Sequence, residues 1–207
     1  MTRPVDPALI ADEYEIARVR RLWATGRDNG EWEVARACFH PGAHVTVSWY
    51  SGPIEGFFQR AIEMLKLRKP GQTSRHSIGN QRVEVRGVRA TLETDALIQT
   101  RDHLDGHWFD YVSWSRFFDF LEKRDGAWRI ARWNTIYDKD RLDPVVANSV
   151  PASFFAGLDL TGPRGGFAFM EFRQARLGRA VPPGIVIGGS ADEAKLHAEG
   201  RAWLAGG

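Results

Sequence analysis

Cysteine is nearly absent from this 207-residue chain. Cys38 stands alone, which excludes an intramolecular disulfide framework and a cysteine-based metal cluster and predicts a reducing compartment. Long hydrophobic runs are missing too. None approaches the ~20 residues of a membrane span, and the N-terminus, MTRPVDPALIADEYEIARVR, is too charged for a secretory signal. A cytoplasmic protein with no membrane partner is expected. Neither sign of charge is in excess: 28 Lys and Arg face 26 Asp and Glu, for a net charge of +2. With no block of like charge, no nucleic-acid partner is expected either.

The strong chemical motifs are also lacking. There is no Gly-rich phosphate loop, no Gly-x-Ser-x-Gly and no His-Glu-x-x-His. Six histidines (His40, His44, His76, His103, His107, His197) include no pair joined by carboxylates at helical ligand spacing. His103 and His107 lie four apart, but a turn separates them. No metal and no cofactor is expected. What remains is acid–base chemistry carried by side chains alone, or no chemistry.

Rings, by contrast, are abundant. Eight Trp, twelve Phe and four Tyr cluster in VSWY, HWFDYVSWSRFFDF and AWRIARW. Such rings fill cores and line pockets for flat apolar ligands. Hydrophobic residues at 43% and charged residues at 26% are the proportions of a globular protein.

Asp6-Pro7 reads as an N-cap followed by proline at the first helical position. Leu9, Ile10, Ile16, Val19, Leu22 and Trp23 then recur at helical spacing as far as Thr25. GRDNG interrupts this helix, EWEVARACF forms a short second one, and HPGA ends it. HVTVSWY is a β-branched, aromatic strand. IEGFFQRAIEMLKLRK predicts an amphipathic helix from Ile54 to Lys69. Four long strands follow: Gln72–Arg86, Arg89–Leu104, His107–Lys123 and Ala127–Tyr137. Gly87, Leu104–Gly106 and Arg124–Gly126 mark the hairpin turns.

Helices first and long antiparallel strands afterwards specify an α+β fold. Strands of this length must bend, and a curved sheet wrapped on the N-terminal helices makes a cone with a pocket. DRLDPV marks the end of this unit, so residues 1–145 form the cone and 146–207 a helical C-terminal extension. The extension holds a helix in FAFMEFRQARLG and a last helix opened by the Ser190-x-x-Glu193 capping box. It is expected to pack on the cone or on a neighbouring subunit, with a homo-oligomer, dimer or trimer, as the assembly.

RLWATGRDNGEWEVARACFHPGAHV, GQTSRHSIGNQRVEV and AWRIARWNTIYDKDRLDPV occur in the order seen in the SnoaL-like branch of the nuclear-transport-factor-two-like superfamily. The chain resembles that branch from Ile10 to Val145. The branch is similar to scytalone dehydratase and hexachlorocyclohexane dehydrochlorinase. The resemblance implies a cystatin-like α+β barrel in which Asp28 and His76 form a dyad, the Asp orienting the His and the His removing a substrate proton. Elementary chemistry agrees: an imidazole titrates near ~6.5, and an adjacent carboxylate fixes its tautomer. Taken alone, an aspartate in GRDNG reads first as a turn former, and a lone histidine on a strand as a hydrogen-bonded sheet residue.

The chain departs from these relatives in two places. The dehydratase pattern has a second His deeper in the cone, where this chain offers Thr100, Asp102 or His103. The dehydrochlorinase pattern has an Arg on the last strand, where this chain places Trp133 with Arg132 beside it. A one-residue slip reverses the face, so Arg132 is no replacement.

Candidate wall residues are Tyr14, Trp49, Tyr50, His103, Tyr111, Ser113 and Asn134. Alternation puts Tyr111, Ser113 and Ser115 on one face and Val112, Trp114 and Arg116 on the other. Tyr111 is a candidate oxyanion donor. Phe154, Phe155, Phe167, Phe169 and Met170 either close the mouth or simply pack. The expected activity is that of a cofactor-independent, dehydratase-like lyase acting next to the carbonyl of a small apolar or aromatic ring compound. The alternatives are an isomerase or polyketide cyclase sharing the first step, and a non-catalytic ligand-binding or dioxygenase-small-subunit-like assembly protein.

Overall fold

A computed structural model describes residues 6–206. The Asp6 carboxylate opens helix α1 (Pro7–Asn29) by accepting the Ala8 N–H at 2.9 Å. Ile16, Val19 and Trp23 form its buried stripe. The helix does not break at Gly26 as the sequence suggests. It continues to Asn29 and ends at Gly30, whose φ of 77° is left-handed, with the Glu31 N–H returning to the Gly26 carbonyl at 2.7 Å. Gly26 serves close packing: a Cβ there would sit 3.1 Å from backbone atoms of Glu31 and Ala35, at the start of α2 (Trp32–Arg36). Asp28 is therefore a last-turn helical residue and not a turn former.

HPGA does not terminate an element either. Strand β1 (Phe39–Val47) runs through it, with the proline and glycine falling in a pairing irregularity between Phe39 and His44. β2 (Tyr50–Pro53) returns antiparallel, and α3 (Ile54–Lys66) stops short of the expected Lys69. Pro70 disfavours helical backbone at the residue before it, and Leu67 to Gln72 become a connection to β3 (Thr73–Arg86). β4 (Arg89–Leu104), β5 (His107–Arg124) and β6 (Ala127–Pro144) complete the antiparallel run. Asp105-Gly106 and Asp125-Gly126 all take positive φ, as tight hairpins of this hand require. DRLDPV forms the distal end of β6, which closes at Pro144.

The seven-stranded sheet runs β2-β1-β6-β5-β4-β3. β1 lies parallel to β6, with Val45 opposite Trp133. Where β1 leaves that edge, β7 (Val186–Ile187) takes it over, opposite Ile136 and Tyr137. Register shifts between Ile78 and Gln81, at Trp114/Ser115 and at Phe120/Leu121 supply the bending. Inside the curve, Ile16, Trp23, Phe57, Phe58, Phe117 and Trp133 form the main core.

Within this core lies a buried ion pair. The Arg20 guanidinium donates from Nε to Asp119 at 2.9 Å and from Nη2 to the same carboxylate, and neither residue is exposed. Its Cζ sits 4.5–4.8 Å from the ring centroids of Trp23, Phe117 and Trp133.

The residues after β6 cover the rest of the sheet. Phe167, Met170 and Ile187 pack on Leu104, Phe109, Tyr111 and Tyr137, and Phe154, Phe155 and Phe169 flank them. Phe167 caps the start of helix α4 (Ala168–Arg176), and Met170 lies in its first turn. Helix α5 (Ala191–Leu204) lays Leu196 and Trp203 on Phe118 and Phe120 of the outer face. Its cap is Ser190, whose Oγ accepts the Glu193 N–H at 3.3 Å. Among the described residues, no helix is long and apolar enough to cross a membrane.

Candidate active site

The last turn of α1 and the first residues of β3 lie side by side, and Asp28 meets His76 there. One carboxylate oxygen accepts the His76 backbone N–H at 2.6 Å, and the other lies 2.7 Å from ring Nδ1. The same carboxylate thus fixes both the strand and the ring. Nδ1–H is the tautomer that donates to it, which leaves Nε2 as the lone-pair nitrogen, without a protein partner among the described residues. An anion at a helix C-terminus runs against the macrodipole. The N–H groups of His76 and the Arg27 guanidinium, 3.3 Å away, offset that conflict.

Burial pushes the His76 imidazole below its ordinary value; the Asp28 hydrogen bond opposes this, the Arg27 charge adds to it, and the net direction is down. Burial raises the Asp28 carboxyl, but the His76 ring and backbone hydrogen bonds and the Arg27 charge outweigh it, so Asp28 titrates below its usual range. The pair at neutral pH is therefore a carboxylate beside a neutral imidazole, the form of a base ready to accept a proton.

His76 forms part of the wall of a cavity of about 310 Å³. Trp23, Phe57, Phe117 and Trp133 make its apolar floor, and Trp49 its side. Trp23 touches the imidazole edge-on at a centroid separation of 5.2 Å. Asp28 stands behind His76 and does not itself line the space. Tyr137 does line it: its hydroxyl oxygen accepts the Ser48 N–H at 2.7 Å, and burial pushes its pKa up to about 12. It is a neutral hydroxyl with its own proton available to donate. Tyr137→Phe leaves the buried Ser48 N–H unpaired and is expected to lower unfolding free energy by about 1–3 kcal/mol in urea titrations.

Of the expected wall residues, Trp49 lines the cavity and His103 sits at its exposed rim, its ring 5.1 Å from Trp108. Thr100 and Asp102 line it as well. The other five do not reach it. Tyr14 is 62% exposed on the outside of α1. The Tyr50 hydroxyl turns back to the Pro53 carbonyl at 2.7 Å. Tyr111 shares the inner face with Phe117 but lies beneath α4, with the Arg173 guanidinium over its ring and its hydroxyl 3.4 Å from Asp140. Ser113 is fully buried against Ser115 at 2.7 Å. Asn134 faces outward, accepting from Arg132 at 2.9 Å, while Arg132 also reaches Glu199 of α5. Arg132 is thus on the opposite face from Trp133, as the strand period requires.

Sequence reasoning missed a set of cations. Arg27, Arg68, Lys69, Arg173 and Arg179 all contribute to the wall. Arg68 and Arg179 follow the ends of α3 and α4, where helix termination frees a side chain to turn inward; a basic residue beside Pro-Gly or Gly was the available signal. Of the expected mouth group only Met170 lines the cavity; the Phe residues pack in the second core.

One cluster elsewhere has metal-ligand residue types: Glu93, Glu193 and His197, on the outer face. Arg116 lies 2.7 Å from Glu93 and 2.5 Å from Glu193, so a guanidinium already occupies the place a cation would take. The residues present do not fit a metal.

The chain is 31% identical over 150 residues to a PEP2-like protein of Fusarium vanettenii, covering 70% of this chain and 62% of that one. This chain therefore spans about three fifths of that relative's length. A protein of Novosphingobium aromaticivorans assigned as a scytalone dehydratase superposes with a TM-score of 0.55 at 16% identity, over 64% of this chain and 88% of its own. A hexachlorocyclohexane dehydrochlorinase of Novosphingobium barchaimii gives 0.56 at 18% identity, over 71% and 99%. These two likenesses are of fold. Sequence goes further, because the model of the SnoaL-like domain matches residues 8–134, the stretch that carries α1, the whole of β3 to β5 and both members of the Asp28–His76 pair. By that match the chain belongs to the SnoaL-like domain family of the nuclear-transport-factor-two-like superfamily.

Proposed function

We propose that this protein is a cofactor-independent lyase of the dehydratase type, acting on a small, largely apolar ring compound that carries a carbonyl. The observation that supports it is the two-point grip of Asp28 on His76 at the wall of a ring-lined cavity. His76 Nε2 takes a proton from the carbon next to the carbonyl. The C–H electron pair forms the enolate, which collapses to a C=C bond as the β-hydroxyl takes the proton back from the His76 imidazolium and leaves as water, restoring the neutral imidazole. Asp28 holds the imidazolium formed in the first half, and the Tyr137 hydroxyl is the wall group able to donate to the enolate oxygen. An isomerase would share the first step and return the proton to another carbon.

The direct test is a panel of cyclic β-hydroxy ketones followed by enone absorbance, with α-proton exchange of 2-tetralone in D₂O followed by NMR. The second readout sees proton abstraction whether or not water leaves. Wild-type rates in both His76→Ala and Asp28→Asn would falsify the mechanism.

The pH dependence has a defined sign. Since the active form is the neutral imidazole and its pKa is shifted down, kcat/KM is expected to stay level through neutral pH. It should fall only in buffers more acid than pH ~6.5. An acid limb centred above pH ~7 would contradict this assignment of the base. Stability runs the same way. Each folded pKa lies below its unfolded value, so acid favours the unfolded chain, beginning below pH ~6.5 for His76 and below ~3.9 for Asp28.

A further inference from the structure

The charges around the cavity do not balance. Arg27, Arg68, Lys69, Arg173 and Arg179 are cationic, and the facing carboxylates are Asp28, behind His76, and Asp102. Both carboxylates are already committed. Asp28 accepts two bonds from His76 and lies 3.3 Å from Arg27. Asp102 accepts from Arg173 at 2.6 and 2.7 Å and from the Thr100 hydroxyl at 3.0 Å. Arg68 and Arg179 are left with no carboxylate partner among the described residues, and both are half-buried. Burial pushes both guanidiniums down; at Arg68 the Asp28 and Asp102 charges oppose this and Arg75 adds to it, and at Arg179 the Arg173 charge adds to it while Asp102 opposes, the net direction being down at both. Fold stability does not favour two desolvated, unpaired cations beside other cations.

We propose that the substrate carries a carboxylate, and that Arg68 and Arg179 bind it at the cavity wall while the ring enters toward Trp23, Phe117 and Trp133. A guanidinium fork matches the two oxygens of a carboxylate, and a partly desolvated fork strengthens that match. The concentration of positive charge also steers an anion to the site. The proposal rests on the dyad reading only in placing the substrate in the same cavity. It adds the class: a ring carbonyl compound bearing an acid group.

The test is binding, so it does not depend on turnover. Benzoate, 2-naphthoate and 4-phenylbutyrate, each beside its carboxamide, are titrated calorimetrically into the full chain. At least one acid is expected to bind about ten-fold or more tightly than its amide. Arg68→Gln/Arg179→Gln, checked for native circular dichroism, should reduce that preference to near unity, with acid affinity falling far more than amide affinity. If no acid outbinds its amide in the unaltered protein, or if the preference survives the double substitution, the proposal is overturned. The two readings separate cleanly. Failure of the dyad alone leaves the acid preference intact in His76→Ala, whereas failure of the carboxylate site alone leaves proton exchange on neutral ketones intact.

Discussion

His76→Ala is expected to lower proton abstraction by about 10²–10⁴-fold, the usual contribution of a positioned general base. Ligand affinity should change little, because the imidazole is a small part of a wall dominated by indole and phenyl rings. Asp28→Asn is the more informative change. Both oxygens of Asp28 accept N–H groups of the same histidine, one from the backbone and one from the ring. An asparagine has one acceptor and one donor, so whichever way it turns, an N–H of His76 meets an NH₂ group. If the backbone bond is kept, the ring must expose Nδ1 as its acceptor and carry its proton on Nε2, toward the cavity. The variant then holds the wrong tautomer in nearly the right place, and a loss of about 10²-fold or more is expected with the fold intact. Asp28→Glu keeps the charge but not the double grip, and should fall between. Steady-state rates on the β-hydroxy ketone panel, with binding measured separately, distinguish these outcomes from a collapse of the site.

The largest effect on stability is expected at Asp119. Removing this carboxylate in Asp119→Ala strands the Arg20 cation where neither residue has contact with water. Breaking a buried pair in this way costs about 3–5 kcal/mol. For a chain of this size that corresponds to a fall in Tm of roughly 6–20 °C. The rings of Trp23, Phe117 and Trp133 around the guanidinium lessen the loss without supplying an anion. Arg20→Met/Asp119→Leu removes both charges and should recover most of it, since apolar replacements of a whole buried pair are often neutral. Urea titrations of the two variants give the comparison, and equal destabilisation by both would show that shape rather than charge governs the site. The same rings floor the cavity, so Asp119→Ala is also expected to loosen ligand binding.

Much of this fold is written in local signals. Strand β4 has the expected bounds, because turn residues sit at both ends of a run that contains neither proline nor glycine. Helix ends were harder to read. Gly26 looks like punctuation, yet it is a close-packing contact, and only the neighbouring helix reveals that. The continuation of β6 past Tyr137 was hidden for a related reason: its distal half is charged on one side because only the other side is covered, by the tail.

The site shows the same division. Asp28 and His76 were legible through a family resemblance and the order of elements. The bonds between them add what composition cannot, namely which atoms meet. Strand alternation assigned Tyr111 and Ser113 to the inner face but says nothing about depth along the cone, and both lie under other residues. Tyr137 and Arg173 became visible only once the chain after β6 was folded back across the sheet.

That folding back has a consequence for how the protein could diversify. Asp28 and His76 fall within residues 8–134, which the family model matches, whereas Met170, Arg173, Leu177 and Arg179 lie beyond it. On the proposed reading the base and its carboxylate lie wholly inside the matched stretch, whereas the anion-binding pair takes Arg68 from inside it and Arg179 from beyond it. The tail reaches the wall through a short loop after α4 and through the Arg173–Asp102 bond. Substitutions there can retune which molecule is accepted without disturbing the base. A lineage could keep its chemistry constant while exchanging its clientele.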